Sequence, residues 1–154
     1  CLAMTLDASA TYPGQLARPS DLLALAEEYR QAALLAAQLR QRGRPISMAP
    51  YRLNAIHAIE LYLNALLLHA GHDAARLRGL QHDLATRTDL AEAGGLQLKR
   101  RTAVHLKAMT ATREYLISRY SPGSAPTLSQ FNRLAATLDE VSAKAALLIS
   151  GSPR

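Results

Sequence analysis

The longest apolar stretch in the chain runs from residue 50 to residue 70 and predicts a helix packed at the centre of the protein. Pro50 suits the first helical position, because its fixed φ fits a helix and its missing N–H would be unpaired there anyway. Gly71 follows the last residue of the pattern, where a left-handed cap is favoured. Between these two residues the run is apolar nearly all round, which is typical of a buried helix.

One narrow stripe of this predicted helix is polar. At about 100° per residue, four side chains fall within a sector about 120° wide: Asn54, His57, Glu60 and Asn64. Two amides, an imidazole and one carboxylate are costly to bury unless they are hydrogen-bonded. We therefore predict an ordered polar seam against another helix or a second subunit. The alternative is a thin edge of the helix that faces solvent.

Apolar residues recur every three or four positions in four further segments, which predicts amphipathic helices. Their predicted bounds are about 20–42, 81–93, 96–120 and 128–150, with a short helical turn or loop at 72–80. Ser20 is the predicted N-cap of the first of these helices. Residues 1–19 have no apolar period and contain two prolines and a glycine by position 19, so they predict an irregular N-terminal lead-in.

Short connections between long helices favour antiparallel neighbours. The pattern therefore predicts an all-α fold, an antiparallel up-and-down bundle of four long helices plus one shorter helix. Leu and Ala dominate the apolar residues and are strong helix formers, which supports this class. We predict a single domain over residues 20–150, because 154 residues are enough for one core.

Basic side chains outnumber acidic ones in this sequence. The chain has 18 Lys and Arg against 12 Asp and Glu, a formal net charge of +6, and 15 of the 18 basic residues are Arg. Such an excess of positive charge is compatible with an anionic partner such as RNA. The alternative interpretation is that the charge only keeps the protein soluble. The predicted RNA-binding cluster lies near the start of one helix; its alternative is a solvated helix start. The cluster comprises Lys99, Arg100, Arg101 and Lys107.

The remaining composition narrows the expected location and chemistry. Cys1 is the only cysteine, so an internal disulfide or a Cys-based metal site is not expected. No apolar run reaches the roughly 18 residues of a membrane span, and no signal peptide is visible. We predict a cytoplasmic protein without a membrane partner, and Met4 as its native start. We expect no cofactor or metal, because His57-x-x-Glu60 is single and reversed relative to di-iron motifs.

Three short motifs resemble the HEPN superfamily (higher eukaryotes and prokaryotes nucleotide-binding) over roughly residues 48–122. They are His57-Ala-Ile-Glu60-Leu-Tyr-Leu-Asn64-Ala-Leu-Leu, His82-Asp83-Leu84 and Arg119-Tyr120-Ser121-Pro122. The resemblance implies a small α-helical bundle, usually a homodimer, often in toxin–antitoxin or other defence settings. A nucleotidyltransferase-like or other antitoxin is the partner that this implies. One departure is Asn64, where the family usually has Lys.

The catalytic branch of that superfamily cleaves RNA with an Arg-x(4–6)-His motif, in which His acts as general acid or base and Arg offsets phosphate charge. Three segments match: Arg52 to His57, Arg76 to His82 and Arg100 to His105. Chance matches are common in so Arg-rich a chain. The catalytic candidates are Arg100, Arg101 and His105, and Arg52 with His57. The alternative function is a non-catalytic helical dimerisation or interaction module, in which the polar seam packs against a partner.

For His82 and Asp83 we favour a structural role. Either side chain can cap the helix that starts at this turn, by accepting hydrogen bonds from backbone N–H groups. His82 can also donate a hydrogen bond to Glu60 and so tie the turn to the central helix. We therefore count His82 and Asp83 with the polar seam.

Overall fold

The computed structural model of the chain describes residues 12–151, and this range contains helices and no strand. Seven α-helices are present in it: α1 (Pro19–Ala36), α2 (Ala49–His69), α3 (Ala74–Gly79), α4 (Leu84–Ala93), α5 (Arg100–Ala111), α6 (Glu114–Tyr120) and α7 (Phe131–Ser150). The predicted all-α class is confirmed, and the up-and-down arrangement of four long helices stays a prediction. Cys1 and Met4 lie outside the described residues. No helix within 12–151 is both long and apolar enough to cross a membrane.

The central helix is α2, which packs most extensively against α1 and then against α7. Ile59, Leu63 and Leu67 are fully buried on it. Its end is closed as the sequence predicts, because Gly71 has a φ of +99° and the next N–H, that of His72, donates to the Leu67 carbonyl at 3.0 Å. α2 is therefore the central helix of the fold, against which α1 and α7 pack.

The face of α7 that packs against α2 carries an apolar residue every three or four positions, as an amphipathic helix requires. Leu134, Leu138, Val141 and Ala145 are all buried in the core. The helix begins at Phe131 rather than at 128, because Leu128 and Gln130 have extended backbone conformations; a 3-10 turn, Pro122–Thr127, lies before them. That turn carries the chain from α6 to α7.

Both predicted ends of α1 are wrong. The N-cap of α1 is Arg18, not Ser20, and the Asp21 carboxylate accepts a hydrogen bond from the Arg18 backbone N–H at 2.9 Å. α1 also ends early, at Ala36, and a 3-10 turn follows at Ala37–Leu39. Residues 40–42 therefore lie outside the helix that the sequence predicts to include them.

The predicted single helix over 96–120 is also wrong, because the chain breaks it into α5 and α6. Arg113 has a left-handed φ of +53°, and the Thr112 hydroxyl donates to the Ala108 carbonyl at 3.0 Å. Such side-chain bonds compete with helix continuation. The break lets Glu114 turn into the interior, where it pairs with Arg52. A buried carboxylate must be paired, so the ion pair accounts for the change of direction.

Candidate functional site

One buried arginine, Arg87 on α4, organises the polar stripe of α2. Its Nε donates to Asn64 Oδ1 at 2.7 Å, and its Nη2 lies 3.7 Å from Glu60 Oε1. Its remaining N–H groups donate to backbone carbonyls, those of Leu77 at 3.3 Å and Asp83 at 3.2 Å. Burial lowers the pKa of Arg87 from its usual range, and the carboxylates of Glu60 and Asp83 oppose that change. Glu60 and Asn64 therefore belong to an ordered polar contact within one chain.

His82 lies beside this contact and is held on two sides. Its Nδ1 is 3.1 Å from Glu60 Oε2, and its ring stacks on Tyr115 with centroids 4.8 Å apart. An ionised carboxylate can only accept a hydrogen bond, so with Glu60 in that form Nδ1 is the donor, and a neutral imidazole then carries its lone pair on Nε2. Nε2 has no hydrogen-bond partner among residues 12–151. The His82 side chain is 44% exposed and that of Glu60 only 13%.

An open cavity of about 380 Å³ lies against this imidazole–carboxylate pair. Its polar lining includes Glu60, Asn64, His82 and Arg87, and Leu22, Leu68 and Leu77 supply apolar wall. At the edge, the Arg78 guanidinium lies over the Tyr12 ring, 4.3 Å from its centroid. The volume falls in the range of roughly 300–1,000 Å³ that small-ligand sites occupy. The cavity can therefore admit a small ligand or part of a larger one.

Backbone geometry adds a second feature to this cavity. Gln81, which lines it, has a φ of +48°, a left-handed conformation that non-glycine residues rarely adopt. Such outliers persist where the surrounding structure imposes them, and they cluster at functional sites. The turn places His82 directly ahead of Asp83, whose carboxylate caps α4 by accepting from the Thr86 N–H at 2.9 Å. The left-handed turn at Gln81 and the helix cap at Asp83 thus fix the backbone position of His82.

The other two residues of the polar stripe lie apart from this cavity. The Asn54 amide donates to the Pro50 carbonyl of its own helix at 2.8 Å. His57 packs edge-on against Tyr29 on α1, with ring centroids 4.4 Å apart, and burial lowers its pKa. The stripe is thus divided: its C-terminal half contacts α4, whereas its N-terminal half contacts α1 or its own backbone.

His105 is buried and both of its ring nitrogens are engaged. Nδ1 is 2.7 Å from the Thr137 hydroxyl and Nε2 is 2.7 Å from the Ser129 hydroxyl. Burial lowers its pKa below the usual value. Arg100 and Arg101 are exposed, and among the described residues no hydrogen bond or ion pair joins either side chain to His105. The three residues therefore do not form one site within the chain.

Arg52 and His57 are likewise not brought together. The Arg52 guanidinium pairs with the Glu114 carboxylate in the interior, and both side chains are at most 5% exposed. The same carboxylate accepts from the Ser129 hydroxyl at 2.5 Å, so one buried network joins Arg52, Glu114, Ser129 and His105. This network has the features of a structural link between α2, α5 and α6.

Acidic side chains partly neutralise the predicted RNA-binding cluster. Glu140 on α7 accepts from the Lys99 backbone N–H at 2.8 Å, so a carboxylate of the chain already occupies the start of α5. Lys144 pairs with the same carboxylate at 3.0 Å, and Lys107 pairs with Asp89 at 2.9 Å. Within the described residues, Arg100 and Arg101 are the cluster members that keep unpaired guanidinium groups.

Two residues of the site were missed from the sequence. Arg87 shares an inward spacing with Leu84 and Ala91, and an arginine on an apolar helix face indicates a buried polar partner. Nothing in the spacing of Tyr115 indicates that its ring packs on an imidazole. In the described range, no group of three or more His, Cys, Asp or Glu side chains is placed to hold a metal ion.

Comparison with known proteins adds no relative: no family model, no curated protein and no solved structure matches the chain. The resemblance to the HEPN superfamily thus rests on the three short motifs alone.

Proposed function

We propose that the protein is an RNA-associated, metal-independent endoribonuclease, with His82 as its general base. The observation that carries the proposal is the His82 imidazole, which lines an open cavity, contacts Glu60 through Nδ1 and has no hydrogen-bond partner for Nε2 among residues 12–151. A carboxylate that fixes the tautomer of a histidine is the arrangement that general-base catalysis needs. The excess of arginine in the chain supports an anionic substrate.

In the proposed step, His82 Nε2 removes the proton of a ribose 2′-hydroxyl. The 2′-oxygen attacks the adjacent phosphorus, the bond from phosphorus to the 5′-oxygen breaks, and a solvent water protonates the leaving 5′-oxygen. The products are a 2′,3′-cyclic phosphate and a free 5′-hydroxyl. Arg78 stands at the cavity edge, where its guanidinium can offset charge on the phosphate.

The test is RNA cleavage by the purified protein in the presence of a metal chelator. We expect the parent protein and a His69→Gln control to cleave labelled RNA, because His69 is exposed and lies outside the cavity lining. We expect His82→Gln to lose cleavage and Glu60→Gln to reduce it, with urea unfolding of each variant as the check on folding. No cleavage by the parent, or full cleavage by a folded His82→Gln variant, would refute the proposal.

The second candidate is the non-catalytic interaction module, in which the Glu60–His82 pair only ties the α3–α4 turn to α2. Exposed leucines favour it: Leu34 and Leu35 on α1 and Leu147 and Leu148 on α7 are 41–68% exposed. Such side chains can pack against a second copy or another protein. In this case Leu35→Gln would change the oligomeric state in light scattering, and no variant would cleave RNA.

A further inference from the structure

A second cleft, distinct from the His82 cavity in its lining residues, is strongly basic. It has a volume of about 660 Å³ and lies between the segment 40–48 and the segment 125–130. Four arginines line it: Arg40, Arg42, Arg44 and Arg52. None of the described residues that line it is Asp or Glu. In contrast, the cavity beside Lys99 is lined by Asp139 and Glu140 as well as by basic residues.

The arginines are carried by a braced turn. The Arg44 N–H donates to the Gln41 carbonyl at 3.1 Å, and Gly43 between them has a φ of +76°. The Ser47 hydroxyl accepts from the Gln41 N–H at 2.7 Å and donates to the Arg44 carbonyl at 2.7 Å. Gly43 supplies the positive φ that the turn requires at little steric cost. The backbone is therefore fixed before any ligand arrives.

Charge on the rim of this cleft is not neutralised within the described chain. Arg42 and Arg44 are exposed and neither pairs with a carboxylate there. Arg40 lies over the Phe131 ring, 3.8 Å from its centroid, which holds its guanidinium in place without cancelling its charge. Of the four arginines, only the buried Arg52 has an acidic partner among the described residues, the buried Glu114. Three positive charges thus converge on one concave surface.

We propose that this cleft binds the phosphodiester backbone of a nucleic acid. A planar guanidinium group can donate paired hydrogen bonds to one phosphate, and three arginines without an acidic partner among the described residues line this cleft. Phosphate contacts of this kind carry little sequence information and position the strand. The inference does not depend on His82 as a catalyst, because the two sites share no lining residue.

The test compares two double variants with equal loss of charge. Arg42→Gln/Arg44→Gln removes the rim of the cleft, whereas Arg76→Gln/Arg113→Gln removes two exposed arginines that line neither the cleft nor the His82 cavity. The probe is a labelled 2′-O-methyl RNA, which cannot be cleaved through its 2′-oxygen, so binding is measured apart from catalysis. Fluorescence anisotropy over a range of salt concentrations gives the dissociation constant and its salt dependence.

We expect the cleft variant to bind more weakly and its log–log salt slope to fall by about 1.4, since each single-strand phosphate contact contributes about 0.7. We expect the control variant to bind within twofold of the parent. Equal losses in both variants, a selective loss in the control, or no binding by the parent would overturn the proposal. Unlabelled DNA and inorganic polyphosphate serve as competitors: displacement by a nucleic acid supports it, whereas displacement by polyphosphate alone overturns it.

Discussion

Removal of the Glu114 carboxylate should destabilise the protein far more than removal of an exposed one. Arg52 and Glu114 are almost fully buried and pair with each other. Glu114→Gln keeps the shape of the side chain but leaves the Arg52 charge uncompensated in the interior. Breaking a buried pair from one side costs about 3–5 kcal/mol. That is a large share of a typical unfolding free energy of about 5–15 kcal/mol.

The matched control is Asp89→Asn, which breaks the exposed pair with Lys107, whose side chains are 63% and 49% open to solvent. Exposed pairs contribute about 0–1 kcal/mol. Urea denaturation followed by circular dichroism measures both changes. With a slope of about 1–3 kcal/mol per molar urea, we expect the Glu114→Gln midpoint to fall by roughly 2 M and the control midpoint by less than about 0.5 M.

A double variant separates the lost charge partner from a general packing defect. Arg52→Met in the Glu114→Gln background removes the stranded cation, so much of the lost stability should return. If Glu114→Gln shifts the midpoint no more than Asp89→Asn does, the two side chains are not paired in a dry interior. The same conclusion follows if Arg52→Met lowers the urea midpoint by the same amount in the Glu114→Gln background as it does in the parent protein.

Three further outcomes follow from local geometry. Arg113→Gly should raise the unfolding free energy by up to about 1 kcal/mol in urea unfolding, because it relieves a left-handed cost of about 1–2 kcal/mol and the extra backbone entropy of glycine offsets about 0.5–1 kcal/mol of that; inside a continuous helix the same change would cost about 1 kcal/mol. Asp83→Ala should cost about 0.5–2 kcal/mol, since it removes the cap of α4, whereas unchanged stability would contradict the cap. Burial lowers the pKa of His105 below 6.5, so the unfolded chain protonates first as pH falls. The unfolding free energy should therefore be fully present above about pH 6.5 and decline below it, and His105→Gln should flatten the decline; an unchanged slope would contradict this.

Periodicity predicted the helices whose packing depends on one continuous apolar face. α2 is apolar nearly all round, and α7 buries an apolar residue every three or four positions from Leu134 to Ala145, so burial follows the pattern in both. Local caps were predicted where the signal lies within a few residues, as at Gly71 and Asp83. Such features depend on short-range chemistry alone.

The features that the sequence did not reveal depend on distant partners. The break at Arg113 follows from Glu114 pairing with Arg52, which is 62 positions away in the chain. The division of the polar stripe follows from Arg87, whose role becomes visible only when α4 lies across α2. Arg40 and Arg42 fall within the helix predicted over 20–42, and only the turn at Gly43 brings them together with Arg44 on one surface.

The central claim is that His82, oriented by Glu60, accepts the proton of a ribose 2′-hydroxyl. The most direct measurement is the analysis of product ends from an RNA that carries one 2′-deoxy position, incubated with the protein and a metal chelator. The account predicts 2′,3′-cyclic phosphate ends at ribose positions, no cut at the deoxy position, and no products with His82→Gln. A cut at the deoxy position, or the same products at the same rate from the folded His82→Gln variant, would contradict it.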